Sequence, residues 1–260
     1  MTVLALIDSH AHLDAAEFDS DRAQVLARAA AAGVFATIVP AVDLAGFARV
    51  RELCAQAPEL HPAYGLHPMF LASHQPAHLD VLGEWIEREH PVAVGECGLD
   101  FFVAGLDIDA QRRYFRRQLE LAREFDRPLV VHARRAVDEV TAMIRAVGNL
   151  RGVVHSFSGS AEQARQLFKL GFLIGLGGPL TYPRARRLHE LVASMPLEFL
   201  VLETDSPDQP LYGHPGQRNE PARLPQVCSC VAELRGVAPE IIAAATTRNA
   251  ERLFCLPPST

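Results

Sequence analysis

Pro128-Leu129-Val130-Val131-His132 is a short apolar run that opens on proline and closes on an imidazole. It is too short for a helix, it is rich in β-branched residues, and both of its alternating faces are apolar. Such a run is a parallel strand covered on both sides. Helix-like stretches lie on either side of it, Ala110–Phe125 before and Ala136–Ala146 after. In the first, Phe115, Leu119 and Ala122 fall at i, i+4 and i+7, while Arg113, Arg117 and Glu120 take the opposite flank. The same strand-and-helix unit repeats outward in both directions. Strands are predicted near Leu4–Asp8, Val34–Ala41, His61–Leu66, Val92–Glu96, Gly152–Ser156, Phe172–Leu176 and Phe199–Glu203. Between and after them helices are predicted over Asp21–Ala32, Leu44–Ala57, His78–Glu89, Ala161–Leu170, Arg184–Ala193, Leu224–Arg235 and Pro239–Phe254. Gly33 and Gly171 stand where a left-handed residue closes a helix. Eight such units in series predict an α/β fold, a (β/α)8 TIM barrel, with residues 1–260 forming a single domain. An open doubly wound sheet is the competing architecture. It usually places a glycine-rich phosphate loop after strand one, and none is present here.

Composition narrows the functional classes. With 49% apolar residues among 260, the chain can build a sizeable core. A formal charge of −6 gives no broad basic face for duplex nucleic acid, though a local site for a short strand remains compatible with it. No apolar stretch reaches the roughly 18–20 residues of a membrane span. The N-terminal MTVLALIDSHAH has no basic leader and runs straight into the first strand. The five cysteines include no CxxC spacing and are expected to be reduced, mostly buried thiols of a cytoplasmic protein.

The distinctive signal is where the polar residues fall. His10 and His12, Glu96, His132, His155 and Asp205 each follow an apolar run. Residues two apart on an extended segment point the same way, so His10 and His12 can reach one ion. An ionised Glu96 after a buried strand needs a cationic or hydrogen-bonding partner. Singly, each of these residues has an ordinary structural explanation. Jointly, four imidazoles and two carboxylates on the rim of one barrel match the ligand requirement of two divalent ions. The imidazoles favour zinc, and the carboxylates also suit magnesium or manganese.

The chain resembles the TatD-type metal-dependent hydrolases of the amidohydrolase superfamily. The segments that carry the likeness are IDSHAHLD (7–14), YGLHP (64–68), VAVGECGLDFF (92–102), RPLVVHARRA (127–136), GVVHSFSG (152–159), LGFLIGLGG (170–178), LETDSP (202–207) and TTRNAERLF (246–254). The resemblance implies a TIM barrel with a dinuclear centre. His10, His12 and Asp205 would hold one ion, His132 and His155 the other, and Glu96 would be shared, with Glu203 orienting a ligand or the reactive water. It also implies hydrolysis of phosphodiester bonds in DNA. Two places differ from the better-known nuclease members. The segment after LETDSP continues as Asp208-Gln209-Pro210-Leu211-Tyr212-Gly213-His214, and Phe101-Phe102 stands where tyrosines are often found.

Two divalent ions would supply hydroxide near neutral pH for in-line attack on phosphorus. In that chemistry Asp205 is the candidate proton acceptor, while His67 and Arg134 are candidates for contacting substrate phosphate. The leading expectation is therefore a deoxyribonuclease acting on DNA ends or short single strands, with no membrane association and no obligate protein partner. Cleavage of an amide or ester, in a small molecule or an aminoacyl-tRNA, is the alternative, because the same hydroxide attacks carbonyl carbon. A barrel that has lost its chemistry is disfavoured by the complete ligand set. The arginines at 112, 113, 116 and 117 are expected on a solvated helix flank away from the rim.

Overall fold

A computed structural model describes residues 4–258. Met1–Val3, which begin the expected N-terminal run, and Ser259–Thr260 at the end of the expected domain lie outside the described residues. The strands are β1 (Leu6–Asp8), β2 (Val34–Pro40), β3 (Leu60–Tyr64), β4 (Ala93–Asp100), β5 (Leu129–Arg134), β6 (Gly152–Val154), β7 (Phe172–Leu176) and β8 (Leu200–Leu202). The helices are α1 (Arg22–Ala31), α2 (Phe47–Gln56), α3 (His78–Glu89), α4 (Ile108–Glu124), α5 (Val137–Val147), α6 (Ala161–Lys169), α7 (Arg186–Ser194), α8 (Leu224–Arg235) and α9 (Pro239–Phe254). The strands form one eight-stranded sheet in chain order, with parallel pairing. This is the (β/α)8 barrel that the alternating pattern predicts. Among the described residues no helix is long and apolar enough to cross a membrane.

By contact density the chain divides into two compact units. The first holds the segment ending at Val39, Ser156–Ser160, and everything from Ile174 onward. Here β1 pairs with β2, and Ile174 through Leu176 of β7 pair with β8. The amide of Ser9 donates to the Leu202 carbonyl at 2.9 Å, which joins β8 to β1. Helix α9 is tied to the strand starts by its polar side chains. Asn249 donates to the Leu197 and Leu200 carbonyls at 2.7 and 2.8 Å, and Thr247 donates to Ala5 at 2.9 Å.

The second unit holds Pro40–His155 and Ala161–Leu173. Its strands pair as β3–β4–β5–β6. Helix α4 buries Phe115, Leu119 and Ala122, as its periodicity predicts. It also buries two glutamines at the ends of neighbouring strands. Gln118 accepts from the Leu66 amide at 2.8 Å and returns a bond to its carbonyl at 3.1 Å. Gln111 does the same for Asp100, at 2.7 and 2.9 Å. A buried peptide group beyond the end of a strand has lost its ladder partner, and these amides replace it. Arg112, Arg116 and Arg117 lie on the exposed flank of α4 and meet carboxylates there.

Most strand ends lie within two residues of expectation, and two strands run on past the polar residue at which they were expected to stop. Strand β4 was expected to stop at Glu96 and runs on to Asp100, and β5 was expected to stop at His132 and runs on to Arg134. Gly98 permits the longer β4. Its φ is +141°, and a Cβ there would fall 2.0 Å from the His132 carbonyl oxygen. The backbones of β4 and β5 therefore approach more closely than any side chain would allow. That approach places Gly98 opposite His132, and Asp100 opposite Arg134.

Candidate metal centre

In the first unit, the C-terminal ends of β1 and β8 bring His10, His12 and Asp205 together. The two Nε2 atoms are 3.2 Å apart, and Asp205 Oδ1 lies 3.4 Å from that of His10 and 3.8 Å from that of His12. Backbone bonds fix this arrangement. The Asp205 amide donates to the His10 carbonyl at 2.9 Å, and the His12 amide donates to Ser206 at 2.7 Å. Asp205 has a left-handed backbone, φ +55°, which is uncommon for a residue with a side chain and recurs at ligand-holding positions. Gln209 Nε2 donates to its Oδ2, and also bonds the Ser156 hydroxyl at 2.8 Å. Neither Gln209 nor Ser156 was picked out from sequence.

Asp8 was also missed. It is fully buried at the end of β1 and accepts from the His10 amide at 3.2 Å, the Thr204 amide at 3.0 Å and the Thr204 hydroxyl at 2.6 Å. Burial pushes its carboxyl up to about 7, against the pull of those hydrogen bonds. Its structural effect is to lock the β1 end, which carries His10, to the β8 end, which carries Asp205. An acid inside the apolar run of residues 3–8 was the available signal. Glu203 is fully buried, and its Oε1 accepts from the Ser156 amide at 2.5 Å. Gly175 makes room for it, since a Cβ there would lie 2.1 Å from Glu203 Oε2.

In the second unit, three imidazoles surround one carboxylate oxygen. Glu96 Oε1 lies 2.8 Å from His67 Nε2, 3.1 Å from His132 Nδ1 and 2.8 Å from His155 Nε2. Glu96, His67 and His155 are buried, and His132 is partly so. His67, Glu96 and His132 each offer a ligand atom within 4.8 Å of the others.

The hydrogen bonds distinguish the imidazoles chemically. His67 Nδ1 accepts from the Met69 amide at 3.1 Å, so in the neutral ring the proton sits on Nε2 and is donated to Glu96. His132 turns its other nitrogen towards Glu96. Its Nε2 lies 2.9 Å from Asp100 Oδ2, a pure acceptor when ionised, so Nε2 carries the proton and Nδ1 presents a lone pair. That lone pair faces Glu96 Oε1 and, at 3.3 Å, His155 Nε2. A lone pair directed at a carboxylate oxygen is repulsive unless a cation lies between them. The donor set therefore fits a divalent ion. Without one, a proton serves. Burial lowers the pKa of His132, but Asp100 and Glu96 outweigh it and raise the value overall.

Asp100 positions His132. Burial alone would raise its carboxyl, but the bond from His132 and the amides of Val103 and Phe102 bring it down to about 2. Arg134 lies two residues beyond His132 at the end of β5. It is exposed, and its guanidinium lies 3.7 Å from the centre of the Phe102 ring. No salt bridge from it to an acid is found among the described residues.

Residues 7–255 match the family described as TatD related DNase. The chain is 41% identical over 258 residues to the uncharacterized metal-dependent hydrolase YjjV of Escherichia coli K12, covering 98% of this chain and 100% of that one. It is 36% identical over 251 residues to the uncharacterized metal-dependent hydrolase YabD of Bacillus subtilis, covering 96% and 98%. The crystal structure of YjjV superposes with a TM-score of 0.95 over 98% of this chain and 100% of that one, at 40% identity. The chain belongs to the TatD-related family of metal-dependent hydrolases.

Proposed function

We propose that this hydrolase is a phosphodiesterase that cleaves DNA ends or short single strands. The observation that carries the reading is the charge pattern beside the ligands. Arg134 follows His132 by two residues on β5, Arg135 comes next, and neither has a carboxylate partner among the described residues. Two exposed guanidiniums without acids suit a substrate bearing phosphates, and a neutral amide would leave them without a role.

In this reading His10, His12 and Asp205 would hold one divalent ion, His132 and His155 would hold a second, and Glu96 would serve both. When bound, the pair lowers the pKa of water so that hydroxide is available near neutral pH, and it neutralises charge on the phosphoryl oxygens. Four imidazoles favour zinc over magnesium or manganese. Asp205 accepts the proton of the attacking water, with Gln209 holding its carboxylate in place. Glu203, held by the Ser156 amide, orients the neighbouring ligands. His67 donates from Nε2, to Glu96 at rest and to a phosphate oxygen when substrate is present. Asp100 keeps the proton of His132 on Nε2. The five thiols are free, which suits a reducing compartment, and we place the protein in the cytoplasm.

The test compares metal-reconstituted protein on single-stranded DNA, bis-nitrophenyl phosphate and an aminoacyl ester. His132→Ala and Asp205→Ala serve as controls. Cleavage of both diesters, abolished by either substitution, is expected. Cleavage of the ester alone would overturn the assignment in favour of carbonyl chemistry.

A further inference from the structure

Phe102 is a large apolar side chain left 46% exposed in the segment immediately after β4. Its neighbours are unusual for an exposed ring. The Arg134 guanidinium lies 3.7 Å from the ring centre and that of Arg135 lies 4.7 Å from it. Exposed arginines elsewhere in this unit, such as Arg112, Arg116 and Arg151, meet carboxylates. Arg134 and Arg135 have none among the described residues, so their charge faces solvent over an aromatic surface. Arg135 holds a left-handed backbone at φ +55°, an arrangement that costs conformational energy and turns its side chain back towards Phe102.

The group is also coupled to the metal ligands. Asp100 bonds His132 through Oδ2 and accepts the Phe102 amide through Oδ1 at 2.8 Å. The Phe101 amide donates to the Arg134 carbonyl at 2.9 Å. One carboxylate thus fixes both an imidazole ligand and the exposed ring. A second exposed aromatic, Phe70, packs edge-on against His67 with ring centres 5.6 Å apart.

An aromatic face layered with guanidinium planes is the surface on which an unpaired nucleobase stacks, and an adjacent free arginine meets the phosphate attached to it. Resting on the phosphodiesterase reading, we infer that Phe102, Arg134 and Arg135 form a subsite for one unpaired base and its neighbouring phosphate, which gives the enzyme its preference for single-stranded DNA. Paired bases are buried within the duplex stack and cannot lie on this surface. An exposed ring therefore selects frayed ends and single strands without reading sequence.

The experiment measures binding of a fluorescein-labelled single-stranded oligodeoxynucleotide and of an abasic strand with the same backbone, by anisotropy, using the metal-loaded protein in the cold to limit turnover. The wild type is expected to favour the base-bearing strand by about tenfold or more, the usual weight of one stacked base. In Phe102→Ala the ratio of the two affinities should fall to about one. Phe102→Trp should restore it, and Phe102→Leu, which keeps an apolar contact, should not. Arg135→Ala should weaken both strands alike and reduce the salt-dependence slope by about 0.7. A wild type that binds neither strand, or binds both equally, overturns the inference. So does a Phe102→Ala protein that keeps the wild-type ratio. Hydrolysis of bis-nitrophenyl phosphate is followed in parallel. Cleavage without base preference sinks the subsite and leaves the phosphodiesterase reading standing. Base preference without cleavage of any diester does the opposite.

Discussion

Asp100→Asn tests how this chain prepares an imidazole for a metal. In the native arrangement Asp100 Oδ2 lies 2.9 Å from His132 Nε2, while Oδ1 accepts the Phe102 and Val103 amides at 2.8 and 2.9 Å. Asparagine preserves the shape and can keep the two amide bonds through its oxygen. It then turns an amino group towards His132 Nε2, where an acceptor had been. The ring avoids two opposed donors by moving its proton to Nδ1, the atom that faces Glu96. The lone pair needed for ligation is lost. Support of this kind is generally worth about 10–100-fold in metal affinity, or about 1.4–2.7 kcal/mol. The assay is calorimetric titration of zinc into metal-stripped protein at pH 7, in two buffers of different ionisation enthalpy. Carboxylates raise the pKa of His132 despite its burial, so the wild type releases a proton from this ring as metal binds. Asp100→Asn should bind more weakly at one step and release fewer protons, and its affinity should persist to lower pH relative to its own plateau. The step that the proposed reading assigns to His10, His12 and Asp205 should not change. An unaltered isotherm with an unaltered proton count would refute the reasoning.

Gly175→Ala should destabilise the protein by about 1–3 kcal/mol, read by thermal denaturation, because the new methyl would lie 2.1 Å from Glu203 Oε2. Gln118→Leu leaves the buried amide and carbonyl of Leu66 without partners, at about 1–3 kcal/mol for each group. Urea unfolding should show that loss, and KM for a diester should rise because Leu66 leads directly into His67. Phe115→Ala removes a fully buried ring from α4 and should cost about 3–5 kcal/mol in the same measurement. Asp8 predicts a pH dependence. Its folded carboxyl is raised to about 7 from an ordinary value near 3.8, so the native state holds the proton more tightly. The metal-free protein should lose stability as pH rises from about 4 to 7, by up to ~1.4 kcal/mol per pH unit, and Asp8→Asn should remove that slope. A denaturant midpoint with the same pH profile in both proteins would contradict the assignment.

The barrel was legible because parallel strands covered on both faces leave continuous apolar runs, and those runs alternate with periodic helices. Helices α3, α8 and α9 have the bounds their periodicity predicts. Other strand ends shift by a residue or two, but the strands that run past their expected ends are β4 and β5, where Gly98 removes a side chain so that two backbones can nearly touch. A pattern of apolar residues does not encode that approach. It ends where the first polar residue appears, at Glu96 and at His132, while hydrogen-bonded pairing continues to Asp100 and Arg134.

The same limit explains the candidate site. His10, His12, Glu96, His132, His155 and Asp205 could be named because each interrupts an apolar run, and a buried polar residue in that setting requires a purpose. The residues that orient them carry no such mark. Gln111 and Gln118 look like ordinary helix formers, and nothing in their spacing says that one caps Asp100 and the other Leu66. Asp100 stands out in the sequence only as a rim acid with two readings, orienting a loop or contacting a ligand. Its role depends on His132 lying across the strand pair, 32 positions later in sequence. Ligands are selected one at a time by chemistry visible along the chain, whereas their supports are selected by which backbone groups the fold leaves without partners. Those groups exist only once the strands have ended and the helices have packed. It follows that relatives of this chain could vary the supports while keeping the ligands, provided each replacement satisfies the same exposed strand end. A Gln118→Glu protein, which keeps one acceptor for the Leu66 amide and loses the donor to its carbonyl, should therefore fall between wild type and Gln118→Leu in stability. A variant as unstable as Gln118→Leu would show that the paired amide geometry, and not the count of satisfied groups, is what the strand end requires.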